Sequence, residues 1–191
     1  MLYKFKIFSK KLFTVAYMSK IMTVIYLLGA VLVLIATCTY MTQYNFISPS
    51  VQEFKDACYS ANNLMLYLLL ISLAGIAIMC IFGNSSRKKL YKSNLIVGIV
   101  VPLIVLVVTI ITLVYVIQSI SIFNENFEVL KAYDASINPN PDYNFTSSGL
   151  ILALILLIVF GVIVICYSAV NTLKYFKTNK NHREVGVENV K

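Results

Sequence analysis

Apolar residues fill four long, uncharged windows of this chain, about Ile21 to Tyr40, Leu64 to Phe82, Leu95 to Ile117 and Leu150 to Val170. Each is close to the roughly 20 residues that a helix needs to cross a hydrocarbon core of about 30 Å. In the third window eighteen residues are Ile, Leu or Val. In water so many β-branched side chains would favour a strand. In lipid a lone strand would leave every backbone N–H and C=O unpaired, so the segment must close its hydrogen bonds within itself as a helix. The pattern therefore predicts an all-α membrane protein, a bundle of four transmembrane helices over residues 21–170.

The flanks of the spans predict further helix. In residues 1–20, Phe5, Phe8, Leu12, Val15 and Ala16 share one helical face while Lys4, Lys6, Lys10 and Lys11 take the remaining arc. Such an amphipathic segment lies in the membrane interface. Ser50-Val51-Gln52-Glu53 reads as a capping box, and Val51, Phe54, Cys58 and Ala61 carry helical spacing into the second span. Ile120, Phe123, Phe127 and Leu130 continue the third helix outward, with Glu128, Lys131 and Asp134 three residues apart for pairing. Helical extracellular extensions of the second and third spans are thus expected to face one another. Asn138 to Tyr143 is turn-rich, and Ser147, Ser148 and Gly149 supply caps for the fourth helix.

Charge sets the orientation. Lys4, Lys6, Lys10, Lys11 and Lys20, then Arg87, Lys88, Lys89 and Lys92, then Lys174, Lys177, Lys180, Arg183 and Lys191 are fourteen of the sixteen basic residues. All flank the same ends of the apolar windows, in residues 1–20, the inner loop 83–94 and the tail 171–191. Lys55 and Lys131 fall in the outer loops 41–63 and 118–149. The positive-inside rule then places both termini in the cytoplasm, with the plasma membrane the expected location and an anionic inner leaflet the expected partner. The net charge of +8 is accounted for by that distribution, and no nucleic acid is implied. The lysine-rich start before Leu34-Ile35-Ala36-Thr37-Cys38 also admits a cleaved signal, although threonine is a poor residue to precede a lipoprotein cysteine.

Candidate chemistry is sparse. No Asp, Glu, Lys, Arg or His stands in the four windows. Ion-coupled transport and intramembrane metalloproteolysis generally need such groups within the spans. The one histidine, His182, lies in the polar tail. No catalytic residue, metal site or cofactor is therefore expected, and the protein is read as not an enzyme. Cys38 and Cys58 are candidates for a disulfide, and Cys80 and Cys166 for packing or S-acylation. Pro102 lacks the N–H that would reach the Gly98 carbonyl, so these two residues form a candidate hinge or a tolerated bend. Gly29, Gly75, Gly161 and neighbouring small residues mark packing seams. The tryptophan and cysteine signatures of claudins, tetraspanins and connexins are missing.

Two functional expectations follow. The first is a non-catalytic protein acting by protein–protein contact, as an accessory subunit of a membrane complex or a protective, immunity-type partner. Its candidate surface is Phe54, Asp56, Phe123, Phe127, Glu128, Leu130, Tyr133 and Asp134, on an acidic and tyrosine-rich outer face that also reads as a plain solvated cap. The second is an oligomeric channel or carrier for ions or small solutes, with Thr109, Thr112, Tyr115 and Gln118 lining a path.

Overall fold

The computed structural model describes residues 15–44, 47–83, 88–137 and 145–188, and every regular element among them is helical. The order is α1 (Val15–Tyr44), a short 3-10 turn (Ser48–Ser50), α2 (Gln52–Gly83), α3 (Lys88–Glu125), α4 (Phe127–Ile137) and α5 (Ser148–Glu188). Apolar stretches Met18–Tyr40, Gln52–Ile78, Val97–Glu125 and Ser148–Phe176 are long enough to cross a membrane. The chain is an integral membrane protein with a four-helix transmembrane bundle. Of the amphipathic segment expected over residues 1–20, residues 1–14 lie outside the described residues.

Helix α1 packs on α2 and α5, and α3 packs on the other sides of the same two helices, so the four spans close a ring. The inward positions explain the ring. Buried residues recur at Tyr26, Ala30, Val33, Thr37, Tyr40 and Tyr44 in α1, and at Phe54, Cys58, Ala61, Met65, Leu68 and Ser72 in α2. In α3 they are Val105, Thr109, Thr112, Val116, Ser119 and Phe123; in α5, Leu150, Ala153, Leu157, Phe160, Val164 and Tyr167. Steps of three and four alternate in all four helices. Their mean of 3.5 keeps each seam facing its neighbours when helices wind left-handed around one another.

The inside is more polar than the outside. Ser19, Thr37, Asn62, Ser72, Thr109, Thr112, Ser119 and Asn171 are buried, whereas Leu28, Leu70 and Val107 are 60%, 64% and 57% exposed. In a bilayer this sorting is favourable because outward side chains meet hydrocarbon while most inward hydroxyls, those of Ser19, Thr37, Thr109, Thr112 and Ser119, are bonded within the bundle. The partners are largely local: Thr37, Thr109 and Thr112 donate to the carbonyls of Val33, Val105 and Val108 at 2.7–2.8 Å.

Close approaches occur where small residues were expected to form seams. A Cβ on Gly75 would stand 2.5 Å from Val101 Cγ1, and one on Gly29 would stand 3.0 Å from Phe160. Gly75 therefore sets the α2–α3 separation beside Pro102, and Gly29 the α1–α5 separation. Gly161 is looser, its nearest neighbour being Thr109 Cγ2 at 3.7 Å.

Three local expectations are corrected. Among the described residues no bond from the Glu53 N–H to Ser50 appears, so the capping box does not form; the Ser50 hydroxyl instead donates backward to the Ile47 carbonyl at 2.8 Å across the 3-10 turn. The third helix does not run unbroken through Leu130. It stops at Glu125, and Asn126 gives both its backbone N–H and its side-chain amide to Ile122 O at 3.0 Å. That local competition starts α4 as a separate helix. Ser147 does stand at the N-cap of α5, its carbonyl accepting the Ile151 N–H at 3.1 Å, but the side-chain oxygen that meets the first turn is that of Thr146, which accepts the Ser148 N–H at 3.4 Å.

Candidate functional site

Polar and aromatic side chains concentrate at two places, the two ends of the bundle. At the end where α1 stops and α2 begins, Tyr44 and Phe54 meet edge-on with centroids 6.2 Å apart, and Tyr44 meets Phe123 at 6.0 Å. Phe123 stacks on Phe145 at 5.2 Å, and Phe127 lies 5.9 Å from Phe123 and 5.5 Å from Phe145. Such offset and edge contacts add about 0.5–1.5 kcal/mol each beyond their buried area. The rings draw α1, α2, α3, α4 and the segment just before α5 into one aromatic end.

Tyrosine hydroxyls complete it. Tyr44 Oη donates to Thr146 O at 3.2 Å and accepts the Leu150 N–H at 3.3 Å, so a side chain of α1 satisfies a donor in the first turn of α5. Tyr40 Oη donates to Ser119 Oγ at 2.6 Å, and Ser119 donates on to Tyr115 O at 2.8 Å. The buried Cys58 thiol lies beside the same Tyr40 hydroxyl.

The proposed surface residues divide. Phe54, Phe123 and Leu130 are buried and hold the end together, which corrects their assignment to an outer surface. Phe54 and Phe123 lie on the two stripes expected to face one another, and their rings meet 5.9 Å apart rather than being displayed outward. Asp56 and Glu128 are exposed, and Phe127, Tyr133 and Asp134 are half-buried. The ladder expected of Glu128, Lys131 and Asp134 is replaced: the Lys131 ammonium lies over the Phe127 ring, 5.7 Å from its centroid. Gln52 Nε2 donates to Asp56 Oδ1 at 2.9 Å, and Tyr59 beside it is 69% exposed.

At the opposite, basic end a polar chain crosses the bundle. Lys174 Nζ donates to Ser19 Oγ at 3.3 Å, and Ser19 Oγ donates to Asn171 Oδ1 at 3.3 Å. Asn171 Nδ2 then donates to the carbonyl of Gly98 at 3.1 Å. That carbonyl is the one Pro102 leaves without its helical donor, since proline has no N–H. An amide from α5 thus supplies the hydrogen bond that α3 cannot make for itself. Both Gly98 and Pro102 are buried, which places the candidate hinge on the α3–α5 contact.

Between the ends, Tyr26 stacks on Tyr167 at 4.6 Å with planes 11° apart, and the buried Tyr26 and Ser72 hydroxyls stand side by side. Of the residues suggested to line a path, Thr109 and Thr112 are buried, Tyr115 is half-buried and Gln118 is exposed, so they do not share one surface. Cys38 is exposed on α1 while Cys58 lies in the core, so the two are not joined to each other as a disulfide. Among the described residues no group of three or more His, Cys, Asp or Glu is arranged to hold a metal.

Comparisons with protein-family models, with curated proteins and with solved structures return no match. Sequence reasoning missed Ser19, Tyr40, Tyr44 and Asn171. Their signal was present: each falls on the alternating three- and four-residue repeat of its helix, where a polar residue in a membrane span marks the inside.

Proposed function

We propose that the chain is a non-catalytic membrane protein that works by protein–protein contact, as an accessory subunit of a larger membrane assembly or a protective, immunity-type partner. The observation that carries this reading is the aromatic end, where Phe123 and Phe145 hold the Phe127 ring of α4, Phe54 joins α2 to α3, and the Tyr40 and Tyr44 hydroxyls tie α1 to α3 and to the segment before α5. A fixed platform loses little conformational freedom on binding. The side chains it displays, among them Asp56, Tyr59, Glu128 and Val129, combine exposed carboxylates with an exposed ring and aliphatic surface. By the positive-inside rule this end faces outward and both termini face the cytoplasm of a plasma membrane.

The test is a pull-down from native membranes in mild detergent through a tag on the carboxyl terminus, with Asp56→Lys/Glu128→Lys as the paired variant. A stoichiometric partner that the variant loses supports the reading. A protein recovered alone or only with its own copies, with flux in reconstituted liposomes, would replace it with the oligomeric channel.

A further inference from the structure

We propose that the α1–α5 junction at the basic end binds the phosphate of an anionic phospholipid headgroup, held between Lys20 and Lys174. Lys20 stands two residues inside the start of the apolar stretch of α1, and Lys174 two residues before the end of that of α5. The two helices are direct neighbours and antiparallel, so both ammonium groups arrive at one depth, where the headgroups of that leaflet begin. They are near enough to repel each other. An anion between them turns that repulsion into two attractions.

The notch is built rather than a chance meeting of two flexible chains. Lys174 is half-buried and oriented by its hydrogen bond to Ser19, and Ser19 is oriented by the buried Asn171. Lys20 follows Ser19 directly in α1 and is exposed, leaving the outer side of the notch open to lipid. A phosphodiester seated there accepts from both ammonium groups, while its acyl chains lie along the exposed apolar residues Val24 and Leu28 of α1. The proposal does not depend on the partner-contact reading, which concerns the opposite end.

The experiment uses the purified full chain in neutral detergent, titrated with phosphatidylglycerol, phosphatidylcholine or inorganic phosphate, with bound species counted by native mass spectrometry. Wild type is expected to retain phosphatidylglycerol over phosphatidylcholine, and Lys20→Gln/Lys174→Gln to lower that retention roughly tenfold or more. Lys55→Gln/Lys131→Gln removes the same charge from the other end and is expected to leave retention unchanged. Lys20→Gln alone keeps the Ser19–Asn171–Gly98 chain, so a drop in retention there supports the site even if the double variant fails to fold. Equal retention by both double variants, no preference over phosphatidylcholine, or full displacement by millimolar inorganic phosphate would each overturn the proposal, the last by reducing the notch to a small-anion site.

Discussion

The two ends of the bundle are closed by different chemistry. At the aromatic end, Phe54, Phe123, Phe127 and Phe145 pack ring on ring, and the hydroxyls of Tyr40 and Tyr44 join helices through a few short bonds. At the basic end a single line from Lys174 through Ser19 and Asn171 reaches a carbonyl exposed by Pro102. Ring packing depends on volume and shape and resists small displacement. A line of hydrogen bonds depends on each link, so one substitution or one change of partner at Lys174 acts along its length. The aromatic end suits a fixed platform, and the basic end suits an adjustable junction.

Phe123→Ala should break the aromatic end most deeply. It removes a ring in contact with four others and should cost about 3–5 kcal/mol in unfolding from mixed micelles. The same variant should release α4, read as faster proteolysis after Lys131. Gly75→Leu tests the helix separation beside Pro102 and should cost about 1–3 kcal/mol by overpacking against Val101, while Gly161→Ala should be nearly silent.

The basic end is sharpened by a double-mutant cycle. Asn171→Leu leaves the Gly98 carbonyl and the Ser19 hydroxyl without their partner and should cost about 1–3 kcal/mol. Pro102→Ala returns an N–H to α3, so Asn171→Leu should cost measurably less in that background; a cost that adds without coupling would refute the link. Tyr44→Phe keeps the ring and deletes the hydroxyl that joins α1 to α5, for about 1 kcal/mol in the same unfolding assay. Smallest of all, Asp56→Asn/Glu128→Gln should change stability by less than about 0.5 kcal/mol, since both side chains are exposed, while lowering recovery of a partner.

The four spans were legible in the sequence because uncharged windows near 20 residues admit few other structures in lipid. Which face of each helix turns inward was harder to read. In water the buried face is the apolar one, but here Val and Leu stand on both sides, so hydrophobicity does not distinguish the core from the lipid-facing surface. Phe54 and Phe123 lie on stripes that helical spacing turned toward one another, and their rings meet 5.9 Å apart, yet with Leu130 they were also counted in an outer surface from which their burial removes them. Pro102 announced a missing donor, yet its replacement, Asn171, lies 73 residues from the Gly98 carbonyl it serves, and no local pattern could pair them.

The ties between α1 and α5 also bear on how the bundle comes together. Ser19 with Asn171, Tyr26 with Tyr167, Gly29 against Phe160 and Tyr44 with the Leu150 amide all join the earliest described helix to the last. During synthesis α2 and α3 can pair as a hairpin as soon as both have entered the bilayer. The Ser19 and Tyr44 hydroxyls of α1, by contrast, wait for a helix made more than a hundred residues later. Until it arrives, one flank of α1 is open, and a chaperone or a neighbouring subunit that covers Tyr26 and Tyr44 would have its opportunity in that interval.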